Sequence, residues 1–300
     1  MNTCAVSVAI PTYKRVDKLI EALQQIRACD PSPDDIIVHV DGDDDDTETA
    51  IVNSGIENVS VIRSKTQQGP GGGRNRAIAL AKHEIVASFD DDSYPIDKDY
   101  FARLLALFEQ FPKAAVIGAA IYHIGEPIQP DEFSARWEHS FIGCGCAYRK
   151  SVFQSSDGYV ALPVAYGMEE VDLSLRLHDE GWSVLVSPWL RVFHNTQLEH
   201  HGSIKVTAAS ISNQALLTYL RYPLFLWWIG VAQCLSRIVW LVRHRRYSGI
   251  VEGVVSIPSV VYMQRTDRRT VSASSLKSFL NLKKQPSYVK LSPDLALSSR

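Results

Sequence analysis

Paired cysteines, a leader-like start and internal repeats are all missing from this chain, and each absence narrows what it can be. The five cysteines, Cys4, Cys29, Cys144, Cys146 and Cys234, are odd in number and include no Cys-x-x-Cys pair. Neither a disulfide framework nor a zinc ribbon is indicated, and a reduced, cytoplasmic setting fits. The chain runs from Met1 straight into an apolar Val6 to Ile10 segment, with no basic leader and no cleavage site, so no secretion signal is expected. Low-complexity stretches are also missing. One sign of charge does not dominate, since the formal net charge is -2, but the signs are unevenly placed. Acids cluster early, at Asp41 to Asp46 and Asp90 to Asp92, and bases cluster late, at Arg243 to Arg246, Arg268 and Arg269. Nucleic acid is therefore not an expected partner of the front half.

What is present is enough for a folded protein: 300 residues, 46% hydrophobic and 21% charged, can bury one large core or a core plus an appendage. Short β-branched runs at Val6 to Ile10, Ile36 to Val40, Val59 to Ile62 and Ile85 to Phe89 predict strands buried on both faces. Helical patterns at Lys18 to Ala28, Thr47 to Val52, Arg74 to Lys82 and Asp99 to Phe111 alternate with them, which predicts an α/β fold around a mostly parallel sheet. Further strand-like runs follow at Ala115 to Tyr122 and Ile142 to Phe153, then a helix over Glu170 to Glu180 stopped by Gly181. Beyond about residue 205 the composition turns aromatic, apolar and basic. A catalytic unit over 1–205 and a helical region over 206–300 are expected.

Ligands of open α/β sheets bind beyond the carboxyl ends of strands, and Ser88-Phe89-Asp90-Asp91-Asp92 ends an apolar strand in three carboxylates. Packed carboxylates need a compensating cation, and an oxygen-rich site suits Mn2+ or Mg2+; the plainer alternative is a solvated turn. Asp41 also follows a strand and is a candidate contact to a bound base or ribose, whereas Asp43 to Asp46 are expected to be exposed turn and helix-start acids. An EF-hand is excluded, because its glycine and twelfth-position glutamate are absent. Gly69 to Gly73 is a glycine-rich stretch between a strand and a helix with Arg74 beside it; it completes neither a P-loop nor a dinucleotide fingerprint. Glu169 and Glu170 sit at a loop-to-helix junction and read either as a general base for an acceptor hydroxyl or as ordinary helix-start acids. His194, after Val192 and Phe193, reads either as a metal ligand or as a satisfied histidine.

In this order the motifs resemble family 2 of the nucleotide-sugar glycosyltransferases, with the fold called GT-A. The resemblance covers about Val6 to His194 and rests on Val-Ala-Ile-Pro-Thr-Tyr, Val40-Asp41-Gly42-Asp43, Gly-Gly-Gly-Arg-Asn, Phe-Asp-Asp-Asp, Glu-Glu-Val-Asp-Leu-Ser-Leu-Arg-Leu and Val-Phe-His. It implies that Thr12, Asp41 and Arg74 hold the nucleotide of a sugar donor, with Asp91 nearby. Asp90 and Asp92 would flank a metal and the diphosphate, and His194 would complete the metal site. The acceptor base of the family is the Asp of a Glu-Asp pair; here that position is Glu170, one methylene longer, with Glu169 as the alternative. Gly143 and Gly145 match a glycine-containing strand near the donor sugar and either leave room for it or serve packing. Trp137 either stacks on an acceptor sugar or belongs to the core.

Pro223 to Val242 is nearly long enough to span a bilayer, yet Gln233, Ser236 and Arg237 form one helical stripe near its middle, and arginines follow. A helix lying on the cytoplasmic face of a membrane is expected through 223–246, suiting a saccharide or lipid-linked acceptor in polysaccharide or glycolipid synthesis. A buried helix or a homo-oligomer interface is the alternative. Two other functions compete with inverting sugar transfer: a sugar nucleotidyltransferase, which lacks its glycine-rich basic signature near the first strand here, and a non-catalytic, membrane-docked sugar-nucleotide-binding protein.

Overall fold

The structure is a computed structural model that describes residues 2–44, 46–162, 164, 166–196, 203–293 and 295. Strand β1 (Thr3–Thr12) turns Val6, Val8 and Ile10 to one face of the sheet, where they meet Leu19, Leu23 and Ile26 of helix α1 (Val16–Arg27). Strand β2 (Ser32–Val40) repeats the alternation, with Ile36, Val38 and Val40 on that face and Ile37 on the other. After α2 (Thr47–Ser54) and β3 (Val59–Arg63), helix α3 (Gly69–Leu80) covers the second face with Ala77 and Ile78, against Ala9 and Ile37. A strand buried on both faces must be apolar at every position, which is why β1 and β2 show continuous hydrophobic runs.

Strand β4 (Ile85–Phe89), β5 (Ser93–Pro95), helix α4 (Tyr100–Gln110), β6 (Ala114–His123) and β7 (Ala135–Glu138) follow, then β8 (Gly145–Arg149), α5 (Lys150–Ser155), α6 (Glu169–Asp179) and β9 (Ser183–His194). With a last short strand, β10 (Ser287–Val289), the strand order is β10-β7-β9-β6-β8-β4-β1-β2-β3, with β5 beside β9. Strands β3, β2, β1 and β4 run parallel, while β8 is antiparallel to both β4 and β6. The sheet is thus mixed and mostly parallel in its N-terminal half, and the carboxyl ends of β1, β2 and β4 open on the same edge.

Two expected elements differ. Ile142 to Phe153 is not one strand: pairing ends at Arg149, and Val152 and Phe153 are buried from the short helix α5. The glycine run Gly69 to Gly73 is not a loop but the opening of α3, with a positive φ at Gly69 alone within the run. Gly181 has φ 86° and ends α6 in the left-handed conformation, as expected from its position.

The remainder consists of α7 (Ile204–Arg221), α8 (Trp227–Arg243), α9 (Ile250–Met263), α10 (Ala273–Lys284) and β10 (Ser287–Val289). Leu216, Leu217 and Leu220 of α7 pack with Met168, with Leu175 of α6 and with Leu276 and Phe279 of α10. Beneath them Asp172 of α6, fully buried, accepts from Arg221 Nε at 2.5 Å and from Arg176 Nε at 2.9 Å. Strand β10 returns to pair antiparallel with β7, Ser287 opposite Trp137, and Trp137, partly buried, packs edge-on against Phe111 at the margin of the core. In α8 two members of the polar stripe turn inward: Gln233 Oε1 accepts from Gln214 Nε2 and Tyr222 Oη, and Arg237 Nε donates to Ser210 Oγ. Periodicity revealed the stripe but not its direction, which tertiary packing decides. Trp228, Val231 and Leu235 are left facing outward. The stretch Leu224–Arg243 is long and apolar enough by composition to cross a membrane, with a mean hydropathy of 1.6.

Candidate active site

Because β1, β2 and β4 end side by side, Thr12, Asp41, Asp90 and Asp91 line one cleft of about 330 Å³, together with Arg15 and Gln67. Asp41 and Thr12 are tied to each other by the Asp41 amide, which donates to the Thr12 carbonyl at 3.0 Å. The Asp41 carboxylate accepts from the Gln68 and Gly69 amides at 2.8 to 3.1 Å, satisfying donors that the start of α3 would otherwise leave unpaired. Its neighbours divide: Asp43 is exposed and pairs with Lys14, but Asp44, expected to be exposed, is buried and accepts from Thr47 Oγ1 and the Lys14 amide. Asp45 lies outside the described residues.

Arg74 stands one turn into α3 and is 3% exposed. Its Nε donates to Ser88 Oγ at 2.9 Å, and its Nη2 pairs with the Asp90 carboxylate and donates to the Gly143 carbonyl at 3.2 Å. A buried guanidinium held on three sides is an immobile cation at the mouth of the acidic strand end. The three acids differ in environment. Asp90 keeps a third of its side chain exposed. Asp91 accepts from Thr12 Oγ1 at 2.9 Å and from Arg15 at 2.8 Å; burial pushes its carboxyl up to about 7 against the pull of Arg15. Asp92 is buried, and there burial is outweighed by His194 and Arg15, which hold it below the usual range. His194 Nε2 lies 3.1 Å from Asp92 Oδ1, an oxygen that is buried and accepts no well-aligned hydrogen bond among the described residues. Burial alone would lower the His194 imidazolium, but the facing carboxylates of Asp92 and Asp90 raise it.

Ligand atoms of Asp90, His194 and Cys144 lie within 4.8 Å of one another. Carboxylate and imidazole donors with an unsatisfied carboxylate oxygen beside them fit a divalent ion, and the nitrogen favours Mn2+ over Mg2+. Sequence reading did not select Cys144 or Arg15. The register of β8 on β4, Gly145 opposite Phe89, carries Cys144 to Asp90, and local pattern holds no trace of that pairing. Arg15 sits just after Pro-Thr-Tyr-Lys, where the motif gave the only signal.

The first turn of α6 presents the two glutamates to the amides of Gly71 and Gly143. Glu169 is 4% exposed, and its Oε1 accepts from the Gly71 amide at 3.0 Å; burial, then the neighbouring Glu170, push it up to about 8. Glu170 is half-buried, accepts from the Gly143 amide at 3.2 Å, and is raised by burial. A side chain at either glycine would displace the carboxylate that its amide holds. A Cβ on Gly71 would fall 2.1 Å from Glu169 Oε1, and one on Gly143 would fall 2.7 Å from Glu170 Oε1. Gly143 thus makes room for a carboxylate of the protein, and Gly145 for Ile121 and Val192, so both are close-packing positions.

A mixed, mostly parallel sheet flanked by helices, with a cleft at the strand ends, is the architecture called GT-A. Residues 7–155 match the family model described as Glycosyl transferase family 2, and that segment belongs to the family. Two curated relatives match part of the chain. The poly(ribitol-phosphate) beta-glucosyltransferase of Bacillus spizizenii is 36% identical over 94 residues, 30% of this chain and 15% of that one. The GalNAc(5)-diNAcBac-PP-undecaprenol beta-1,3-glucosyltransferase of Campylobacter jejuni is 32% identical over 89 residues, 29% of each. The chain spans less than a third of the length of these relatives. Among solved structures, the mannosyltransferase PcManGT of Pyrobaculum calidifontis, in complex with GDP-Man and Mn2+, superposes with a TM-score of 0.59 at 13% identity, over 95% of this chain and 88% of that one. TarS 1-349 of S. aureus, in complex with UDP-GlcNAc, gives 0.56 at 15% identity, over 87% and 92%. At these identities the structures share the fold.

Proposed function

We propose that the chain transfers a sugar from a nucleotide diphosphate donor to a hydroxyl of a saccharide or lipid-linked acceptor, with inversion. The observation that supports this best is a continuous connection through Gly143: its amide holds Glu170 and its carbonyl holds Arg74, which in turn holds Asp90. A candidate base and a candidate donor-side cation are thereby set on one loop across a cleft large enough for part of a nucleotide.

Thr12, Asp41 and Arg15 line the nucleotide side. Asp90 and His194, with Asp92 beside them, are the residues that would hold Mn2+ or Mg2+; when bound, the ion supplies positive charge to the departing diphosphate. Arg74 adds a fixed cation to the same oxygens. Glu170, the more exposed of the two glutamates, takes the proton of the acceptor hydroxyl as its oxygen attacks the anomeric carbon. The bond from that carbon to the diphosphate breaks, and its electron pair leaves on the diphosphate oxygen. Glu169, buried and largely protonated near neutral pH, positions the α6 terminus against α3.

In this reading 1–205 is the catalytic unit, and 206–300 carries a surface through 223–246 that associates peripherally with the cytoplasmic face of a membrane. A screen of nucleotide sugars with and without Mn2+ tests the function. One donor should stabilise the protein and release nucleoside diphosphate, Asp90→Asn should lose both effects, and Glu170→Gln should lose turnover alone. Absence of donor binding under every metal condition removes the proposal.

A further inference from the structure

Helices α8 and α9 both lie on α7, each brought close by a glycine. A Cβ on Gly230 would fall 2.0 Å from Thr218 Oγ1, and one on Gly253 would fall 2.8 Å from the Ala208 carbonyl oxygen. Between the two helices opens a groove of about 560 Å³, floored by Ile211 and Ala215 of α7 and walled by Leu235 and Ile238 of α8 and by Ile257 of α9. Among the described residues no charged side chain lines it, and Thr218 Oγ1 already donates to the Gln214 carbonyl at 3.0 Å. A sugar or nucleotide in such a groove would lose its hydrogen bonds to water without replacement, whereas a hydrocarbon chain would not. From Trp227 to Ile238 the α8 wall rises about 16 Å, at 1.5 Å per residue.

The Trp227 end of the groove carries a cation. The Arg268 guanidinium lies 4.8 Å from the Tyr219 ring centroid and 5.5 Å from that of Trp227, both groove-lining residues. Its Nη1 is buried and has no hydrogen-bond partner among the described residues. A charged donor in that state calls for an anion. The surrounding region has the matching sign: residues 203–300 hold 14 Lys and Arg against three Asp and Glu, while residues 1–202 hold 17 against 30. That excess disfavours a second copy of the same face and favours an anionic amphiphile.

Helix α7 also links the groove to the elements that carry Glu169 and Glu170. Its opposite face holds the segment before Glu169, through Asn213 Nδ2 on the Val164 and Tyr166 carbonyls, and holds α6 itself through Arg221 on Asp172. We propose that the groove between α8 and α9 binds the hydrocarbon chain of a phosphate-headed lipid acceptor, with the phosphate at Arg268. This rests on the transferase reading of the cleft and assigns its acceptor class.

The probe is dodecyl phosphate below its micelle-forming concentration, titrated calorimetrically into the full chain, with inorganic phosphate in parallel. Saturable binding is expected, weakened about tenfold or more in Arg268→Gln and in the groove-filling Cys234→Phe, a loss of about 1.4 kcal/mol. Arg268→Gln alters a partly exposed side chain, so it remains informative if Cys234→Phe does not fold. Binding of UDP-GlcNAc and GDP-mannose with Mn2+, measured on the same samples, reports the cleft separately. Failure of the unsubstituted chain to bind the lipid probe while it binds donor refutes the groove alone, and no donor binding across the nucleotide-sugar screen refutes the transferase reading. Three results would overturn the groove: equal probe affinity in both variants, inorganic phosphate binding as tightly as its dodecyl ester, or dimerisation that Cys234→Phe abolishes. Adsorption to phosphatidylglycerol vesicles that both variants retain, without binding of the monomeric probe, would assign the face to bulk lipid and overturn it too.

Discussion

Replacing Glu169 by Gln should make the protein more stable at alkaline pH, not less. The side chain is 4% exposed and its one hydrogen bond, from the Gly71 amide at 3.0 Å, needs only a carbonyl-type oxygen, which Gln supplies. Burial and the adjacent Glu170 raise the folded carboxyl from 4.5 to about 8. Between those values the folded chain keeps a proton that the unfolded chain releases, so stability falls as pH rises through the window and is level above it. At about 1.4 kcal/mol per pH unit the ceiling of this loss is about 5 kcal/mol. At about 2 °C per kcal/mol for a chain of this size, the wild type should lose several degrees of apparent Tm between pH 5 and pH 8 that the variant keeps. Thermal unfolding of both proteins in EDTA, from pH 4.5 to 8.5, measures it directly. Parallel curves, with a gap that does not grow with pH, would show that Glu169 ionises freely and that its burial has been misjudged.

Three further outcomes follow from the same geometry. Asp172→Asn leaves Arg176 and Arg221 buried without their shared carboxylate and should cost about 3 to 5 kcal/mol, seen as a lower Tm with donor binding retained below the transition. Gly143→Ala drives a methyl against Glu170 Oε1, 2.7 Å away, and should lower kcat about ten- to hundredfold while Tm stays within a few degrees; an unchanged kcat would show that the Gly143 contact does not set the position of Glu170. Arg15→Ala releases Asp91 and Asp92 from a competing cation and should tighten Mn2+ binding about tenfold by calorimetry, with unchanged affinity counting against Asp92 as part of the ion's surroundings.

How much of this was legible in the sequence depends on the range of the interaction concerned. Ile85 to Phe89 reads as a strand from its own composition, and the acids after it read as a site because strand ends are where such sheets bind ligands. The direction of α8 was not legible, since a polar stripe looks the same whether it meets water or the hydroxyls and amides of α7. Nor was the helical form of Gly69 to Gly73. Glycines disfavour helix locally, and here Asp41 caps the helix from one strand while Glu169 and His39 fill the space that missing Cβ atoms leave. Cys144 was invisible for a similar reason, because antiparallel register, not spacing, brings it to Asp90.

The two hydrogen bonds of Gly143 bear on how a catalyst of the proposed kind can change. Glu170 and Arg74 come from helices far apart in the chain, yet only the two soft dihedrals of one residue lie between the amide that holds the first and the carbonyl that holds the second. Under the proposed transfer, a substitution that shifts this loop to admit a different acceptor would also tilt the Arg74 guanidinium. Donor and acceptor preference would then not be independent dials, and variants selected for a new acceptor should carry a compensating change on the α3 side of the cleft.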